Sequence, residues 1–590
     1  MDRIKQLELM ANRLRIDSIT STASAGSGHP TSCMSCAEII STLFFDELGG
    51  DDQFILSKGH AAPILWSAYA EAGLIPKGEL KNLRKIDSNL EGHPTPLIPM
   101  VRIATGSLGQ GLSAGVGMAL AKRLKKDLSR VYVLIGDGES AEGSNWEAAN
   151  SAAYYDLNNL CLILDTNRLG QSQPTMHGHD MDRYKKKFEA FGWDTMIIDG
   201  HSVSQLLEAF KRAKSSKRPF VILAQTFKGK GVSFLQDKEG WHGKPLNKEE
   251  VAKALAEIGP ADITLKSKVR KTLTKHKNSD FKPNDYRLGE MVATRKAFGT
   301  ALLKLGKNDK NVVAVDGDVR NSTMTLDFFK AFPNRSFESF IAEQNMVGMA
   351  AGMSAEGLTP YVATFAAFLT RAHDFIRMAM YSEVNIKFVG SHVGVSIGED
   401  GPSQMGLEDL PMFISMPDSM VLYPSDAVST ENLVREMNKH KGISYLRTTR
   451  EKTPVIYKNT EKFPAGKFKV LRKSSKDKAL VIGAGVTLHE ALKAYDLLNA
   501  KGISIRVIDL YSIKPLDTKA LAKHAKECKG NVVVVEDHYE GGIGSIVATA
   551  VGLIHHLYIK AIPRSGKPEQ LRRKYGIDAT AIVREVIRSR

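Results

Sequence analysis

Cysteine is scarce in this sequence. The chain of 590 residues has four, Cys33, Cys36, Cys161 and Cys528. So few exclude a disulfide framework and favour a reducing, cytoplasmic setting. Cys33 and Cys36 form a CxxC, but neither a second pair nor a histidine cluster accompanies it, so no redox or zinc role is expected. No run of about 18 apolar residues occurs, and no membrane span is expected. The opening MDRIKQLELMANRLRIDSITSTAS reads as a polar helix without the apolar core of a secretory signal. Acidic residues are the minority charge, 65 against 81 Lys and Arg, which leaves a net charge of +16. That excess is spread along the whole chain. Its denser runs, Lys122 to Lys126, Lys185 to Lys187 and Lys266 to Lys277, read as solvated faces or linker. No nucleic-acid-binding motif goes with them, so no nucleic-acid partner is expected. Small phosphorylated substrates account better for any functional share of the charge.

Apolar residues make up 43% and charged residues 25%, ordinary values for soluble globular protein. At about 100–200 residues per domain, the length implies three or four domains. Apolar runs that end in Gly- or Asp-rich turns predict strands at 131–138, 159–167, 195–200 and 220–226, with helical patterns between them. Such alternation predicts a parallel α/β sheet whose strand C-terminal loops carry the site. Residues 263–286 are polar and Lys-rich and read as a linker. Further strand runs lie at 311–318, 386–396, 503–515 and 531–539. The fold class is therefore α/β in three units, 1–262, 287–455 and 456–590, with 263–286 joining the first to the second.

Three groups of residues carry chemistry. In the first, Asp137 lies in the GDG turn after one strand and Asn167 at the end of the next. Adjacent parallel strands bring both oxygens to one sheet edge. A hard cation, Mg2+ or Ca2+, takes such ligands, completed by the carbonyl of Leu169 and by phosphate oxygens. A lone GDG is more often a plain strand-end turn. The second group is histidine: His29, His60, His93, His242 and His392 all lie in Gly- or Ser-rich loops. A single histidine is usually structural, but loops of this kind present imidazoles to a ligand, and a neutral ring both donates and accepts protons. The third is Glu343 in FIAEQNM. A carboxyl in an apolar run must find a partner or be protonated. Taken alone, it reads equally well as a buried structural glutamate paired with arginine.

The strings SAGSGHPTSC, LSKGHAAPIL, ATGSLGQGLSAGVGMA, IGDGESAEGSNWEA, NRLGQS, TFKGKGVSF, WHGKPL, AEQNMVGMAAG, TFAAFLTRA, SHVGVSIGEDGPSQM and PRSGKP run in order through nearly the whole chain. In them the sequence resembles the transketolase family, the animal type in particular. The resemblance implies a diphosphate-binding, a pyrimidine-binding and a C-terminal domain. It also implies thiamine diphosphate with Mg2+ or Ca2+, sugar phosphate substrates, and a homodimer with its active sites at the interface. The reaction implied is transfer of a two-carbon ketol unit from a ketose phosphate such as xylulose 5-phosphate to an aldose phosphate such as ribose 5-phosphate or erythrose 4-phosphate.

Roles follow from the same resemblance. Glu343 matches the glutamate that bonds the aminopyrimidine and favours its imino tautomer, so that the exocyclic nitrogen removes the thiazolium proton. Phe365 and Phe368 match aromatics packed on the pyrimidine. Arg371 stands where many microbial members carry a tyrosine, which removes an aromatic contact there. Asp137, Asn167 and Leu169 match the metal ligands. Gly106, Ser107, Leu108, Gly138, His60, Lys58 and Lys228 match cofactor-side positions, and Gln404 replaces a microbial histidine near the cofactor amino group. Glu142 and Glu147 match carboxylates linking the two sites of a dimer. Arg295, Ser322, His392 and Arg450 match the phosphate-binding group. His29, His93, His242 and Asp400 match residues that contact the sugar carbonyl and hydroxyls. The stretch between FFDELGG and DDQFILSKGH is shorter than the family norm, which trims a loop near His60.

Competing readings are other thiamine-dependent ketol transferases, such as 1-deoxyxylulose-5-phosphate synthase or dihydroxyacetone synthase, and a transketolase-like protein of weak catalysis that acts as a binding or regulatory subunit. VIGAGVTLHE offers a GxG after a strand, but Leu488 stands where a dinucleotide fingerprint needs its third glycine.

Overall fold

A computed structural model describes residues 1–270 and 279–589. The chain forms two compact units. One takes Met1–Lys275 with Val347–Gly357 and Tyr381–Glu383, and the other takes His276–Met346, Leu358–Met380 and Val384–Arg590.

The first unit opens with a helix, Arg3–Ala25, capped by Asp2, whose carboxylate accepts from the Lys5 amide at 2.8 Å. Its composition is polar, yet Leu7, Met10, Ala11 and Leu14 fall at helical spacing on one buried face. The helix ends at Gly26 in the left-handed region, with φ 59°. The sheet that follows has strands β1 (Gln53–Leu56), β2 (Val131–Gly136), β3 (Leu160–Thr166), β4 (Asp194–Asp199) and β5 (Phe220–Gln225), in the order β1-β2-β3-β5-β4. Every pairing is parallel. β3 is buried along its whole length and contains no alternating polar positions, as a strand covered on both faces requires. The four predicted runs become β2 to β5, and β1 is a short strand with no separate signal.

In the second unit, β6 (Val312–Asp316), β7 (Ser336–Glu338), β8 (Thr359–Phe365), β9 (Lys387–Ser391), β10 (Met420–Leu422) and β11 (Ser444–Arg447) make a parallel sheet in the order β7-β6-β8-β9-β11-β10. A further sheet has β12 (Lys469–Arg472), β13 (Leu480–Gly483), β14 (Arg506–Asp509), β16 (Val532–Val535) and β17 (His555–Leu557), in the order β12-β14-β13-β16-β17. The run 503–515, read as one strand, divides. Its second part, β15 (Ser512–Lys514), leaves β14 and pairs antiparallel with β10. That crossing fastens the second and third sheets into one body. The run 386–396 also breaks, because His392 takes φ 59° and turns the chain out of β9.

Of the predicted linker, residues 271–278 lie outside the described residues, as does part of the basic run 266–277. Its described flanks are packed. Lys268–Val269 pairs with Gly49–Gly50, Phe281 is buried, and the Tyr286 hydroxyl donates to Glu431 at 2.6 Å. Gly485, in the GxG of the third sheet, has a packing reason: a Cβ there would lie 2.1 Å from the Tyr423 ring.

Candidate functional site

The sequence-predicted residues fall into two half-sites, one in each unit. Each is built from loops at the C-terminal edge of a parallel sheet, where open α/β folds place ligands.

In the first unit, Lys58 and His60 follow β1, Asp137 and Gly138 follow β2, Asn167 and Leu169 follow β3, and Lys228 follows β5. The Asp137 side chain is buried and accepts from the Gly138 amide at 3.0 Å, the Arg168 amide at 2.9 Å and the Thr175 hydroxyl at 2.7 Å. Burial raises its pKa, against those hydrogen bonds. Among the described residues no cationic side chain forms an ion pair with it. A buried carboxylate of this kind fits a missing cation. Beside it, Asn167 is buried, with Oδ1 accepting from the Leu169 amide at 3.3 Å. The Leu169 carbonyl accepts from the Lys228 ammonium at 2.8 Å and has a second lone pair free for a metal. One carboxylate, one amide oxygen and one carbonyl make a hard donor set, incomplete without phosphate oxygens. Among the described residues no group of three His, Cys, Asp or Glu side chains is placed to hold a metal by itself.

The two lysines differ. Lys58 is buried in an ion pair with Asp165, and its remaining donors reach the Ser32 carbonyl at 3.0 Å and the Ser35 hydroxyl at 3.2 Å. These three partners match the three protons of the Lys58 ammonium. Removing either member of the pair would strand a buried charge at a cost of about 3–5 kcal/mol. Lys228 donates to Leu169 and lies 2.7 Å from His242 Nδ1. Burial, with Lys58 nearby, lowers its pKa to about 8.

Three imidazoles pack together. Ring centroids are 5.2 Å apart for His29 and His60, 5.0 Å for His29 and His242, and 5.3 Å for His60 and His242. His93 packs over Gly106, where an added Cβ would come within 2.9 Å of its ring. Burial depresses all four, with Arg84, Lys58 and Lys228 contributing. His29 falls to about 4 and His242 to about 3, while His60 and His93 shift in the same direction. Each shift favours the neutral ring. His29 Nδ1 is buried without a hydrogen-bond partner among the described residues. The loops are closely fitted: a Cβ on Gly59 would lie 2.8 Å from the Gly106 amide, and one on Gly109 2.7 Å from Glu142 Cβ. Gly138 and Glu142 are exposed, Ser107 and Glu147 are half-buried, and Leu108 is exposed.

In the second unit, Glu343 begins the helix Glu343–Ala355 just after β7. It is buried, and Arg371 Nη1 donates to its Oε2 at 3.3 Å. The partner that its apolar setting demands is therefore an arginine. At the end of β8, Phe365 stacks on Phe368 at 5.1 Å and on His392 at 3.8 Å. His392 is buried, and burial with Arg295 and Arg450 nearby lowers its pKa to about 3. Arg295 Nη1 donates to the Ser322 carbonyl at 2.8 Å, and its buried Nε has no partner among the described residues. Arg450 donates to Asp400 at 2.6 Å and to the Ile397 carbonyl at 3.3 Å. Gln404 is half-buried in a short turn, and the Gly406 amide bonds the His392 carbonyl at 3.1 Å, which holds that loop beside His392. The unspent Nε of Arg295, with Arg450 and His392 nearby, suits an anion.

Sequence reasoning missed several supporting groups. Asp165 accepts from Lys58, Ser35 and Thr226 at once. Glu139 ties three loops, accepting from Ser57, from the Gly109 amide at 2.8 Å and from the Gly136 amide at 3.1 Å. Thr175 supports Asp137. Asp165 carried a signal, a carboxylate in an apolar strand two residues before Asn167. Glu139 and Thr175 carried none.

Comparison with known proteins covers the whole chain. The family model "Transketolase, thiamine diphosphate binding domain" matches residues 6–285, "Transketolase, pyrimidine binding domain" matches 290–455, and "Transketolase, C-terminal domain" matches 466–582. The chain is 50% identical to a Homo sapiens transketolase over 99% of this chain and 97% of the relative. It is 49% identical to the Mus musculus transketolase-like protein 2, with the same coverage. The solved transketolase of Campylobacter jejuni superposes with a TM-score of 0.89 at 25% identity, covering 100% of both chains.

Proposed function

This chain belongs to the transketolase family and is an enzyme of that kind, and from that premise we propose how its half-sites divide the work. The enzyme moves a two-carbon ketol unit from a ketose phosphate such as xylulose 5-phosphate to an aldose phosphate such as ribose 5-phosphate. The setting proposed is the non-oxidative pentose phosphate pathway in the cytoplasm. The first unit holds the diphosphate through a divalent cation, Mg2+ or Ca2+, on Asp137, Asn167 and the Leu169 carbonyl. The observation that carries this is the buried Asp137 carboxylate, which has no cationic partner among the described residues although two further hard oxygens stand beside it. Lys228 and Lys58 add positive charge on the diphosphate side.

Thiamine diphosphate, when bound, supplies the carbanion chemistry that takes up and releases the two-carbon unit. The protein does the rest. Glu343 holds a proton at the pyrimidine ring nitrogen, and Phe365 and Phe368 form the ring's packing wall. The imidazoles of His29, His93 and His242 are shifted toward the neutral form, so they both donate to and accept from sugar hydroxyls and the carbonyl. Arg295, Arg450, Ser322 and His392 bind the substrate phosphate, and Asp400 reads a hydroxyl.

We further propose a homodimer in which one copy contributes the diphosphate half-site and its partner the pyrimidine half-site, with Glu142 and Glu147 linking the sites. The testing assay is thiamine-dependent transfer from xylulose 5-phosphate to ribose 5-phosphate after metal removal and add-back. Failure to transfer with any divalent cation would leave a binding or regulatory role. Light scattering that finds an active monomer would remove the dimer.

A further inference from the structure

One strand of the first sheet has no site residue assigned to its loop. β4 is followed by His201, whose side chain is 7% exposed. Its Nε2 accepts from the Phe227 amide at 2.9 Å, and its Nδ1 lies 3.0 Å from Glu38 Oε2. A backbone amide only donates, so Nε2 carries the lone pair and the ring proton sits on Nδ1, facing Glu38. Glu38 is buried. Burial works against its charge, but Arg15, which bonds both carboxylate oxygens at 2.6 Å, and His201 together hold its pKa down to about 2. The order Arg15, Glu38, His201, Phe227 therefore has one proton arrangement. Phe227 directly precedes Lys228.

The rest of that loop is pinned as well. The Thr226 amide donates to the Thr166 carbonyl at 3.0 Å, the Thr226 carbonyl lies 3.0 Å from His179 Nε2, and the Gly229 amide donates to the Thr31 carbonyl at 3.0 Å. His201 and Phe227 also stack, with centroids 6.1 Å apart and planes at 13°. The His201 bond and the His179 contact hold the N–H and the C=O of one peptide, Thr226–Phe227, immediately before the peptide that enters Lys228. Lysine has a long flexible stem, so the aim of its ammonium depends on how its main chain is held.

We propose that Glu38 and His201 are a positioning pair: they fix the Thr226–Phe227 peptide, one peptide before the one that enters Lys228, and so help seat the Lys228 ammonium against Leu169 and His242, where the diphosphate binds. The role of Lys228 itself rests on the proposed function. The pair is additional to it, and its mode of action is that of the outer partners that orient ligand-holding groups elsewhere.

Two substitutions separate positioning from simple support of a buried charge. In His201→Gln, a side-chain oxygen reaches the Nε2 position and still accepts from Phe227. In His201→Asn, the amide reaches only the Nδ1 position, so it still donates to Glu38 but loses Phe227. Thiamine diphosphate affinity is measured by titration calorimetry on the full-length protein at saturating Mg2+, with Lys228→Ala as the control. The expected result is about a 10-fold or greater loss for His201→Asn, as for lost outer partners elsewhere, and a loss within about 3-fold for His201→Gln. A cofactor-free readout is acylation of Lys228 followed by mass spectrometry. Its rate at one fixed pH changes in His201→Asn and stays at the parent's value in His201→Gln. If His201→Asn binds as the parent does, or His201→Gln loses as much as His201→Asn, the positioning role is overturned while the Lys228 assignment stands. If Lys228→Ala binds like the parent, that assignment fails and this inference with it. Should His201→Asn not fold, a 10-fold loss in His201→Gln alone overturns the proposal.

Discussion

Arg450 and Asp400, which the family resemblance assigns to different parts of the substrate, hold each other at 2.6 Å. Their side chains are 39% and 43% exposed, so the pair is worth little by itself and is readily exchanged for a better partner. A phosphate offers Arg450 a doubly charged acceptor, and a sugar hydroxyl offers Asp400 a donor. On the proposed assignment, substrate binding would replace one weak contact by two charge-assisted ones.

This makes Arg295 the cleaner test of phosphate recognition. Arg450→Ala also frees Asp400, mixing two effects, whereas among the described residues the Arg295 guanidinium donates to the Ser322 carbonyl and keeps Nε unspent. Arg295→Ala should cost on the order of 2–3 kcal/mol, about 30- to 150-fold in kcat/KM, with a phosphorylated donor. With unphosphorylated hydroxypyruvate the loss should be small. Equal losses for both donors would remove Arg295 from the phosphate site.

Asp137→Ala and Asn167→Ala should act on cofactor retention before turnover. Each removes a hard oxygen from the proposed cation site, leaving the diphosphate charge poorly neutralised. Activity should return in part at excess thiamine diphosphate and metal. Equilibrium dialysis of the metal, with cofactor present, reads the effect directly, and unchanged retention in both variants would refute the metal assignment.

The depressed imidazoles give the protein without substrate an acid-sensitive stability. His392 has a folded pKa of about 3 against an ordinary 6.5. Unfolding restores the ordinary value, so below 6.5 the unfolded chain takes up a proton that the folded chain refuses. Stability is thus unaffected by this group above pH 6.5 and falls as the pH drops through the window down to about 3. At pH 5 the loss is about 2 kcal/mol from His392 alone. His29 and His242, lowered to about 4 and 3, act in the same direction. In melting curves, His392→Asn should flatten part of the decline between pH 6.5 and 5. An unchanged slope would mean that the ring is not buried neutral.

The strands of the first sheet and the residues at their ends were legible because a strand buried on both faces writes itself as an unbroken apolar run, and β2, β3 and β5 do so. Long-range pairing was not legible. The run 503–515 is equally apolar on both sides of its break, and only the register with β10 shows that Ser512–Lys514 leaves the third sheet. The site followed the same division. Asp137 and Asn167 could be found from strand-end position and spacing. The Lys58–Asp165 pair could not, since sequence gives no angle between two loops. Glu38 and His201 lie 163 positions apart, and nothing local marks either as the other's partner.

The last prediction turns on whether Glu343 serves Arg371 or the pyrimidine ring. Arg371 reaches Glu343 Oε2 at 3.3 Å, but its own side chain is 63% exposed. Water screens such a contact, and its net contribution is about 0–1 kcal/mol. If holding Arg371 were the whole role of Glu343, then Arg371→Ala and Glu343→Gln would have similarly mild effects. If Glu343 instead holds a proton at the pyrimidine nitrogen, the two variants part. Arg371→Ala leaves the carboxyl in place and should lower kcat only a few-fold, about the effect of a lost surface pair. Glu343→Gln keeps the shape and still donates a hydrogen bond, but it has no carboxyl to share a proton. Its kcat should fall by at least about 10²-fold, the low end for a lost general acid–base step. Cofactor affinity should fall much less, since the proposed diphosphate site is built from other residues. The direct measurement is exchange of the thiazolium C2 proton with deuterium on the enzyme, read by NMR after acid quench. Exchange in Glu343→Gln should be slow while exchange in Arg371→Ala stays near the parent rate. Equal rates in Glu343→Gln and the parent would show that Glu343 does not activate the cofactor and leave it as the partner of Arg371 alone.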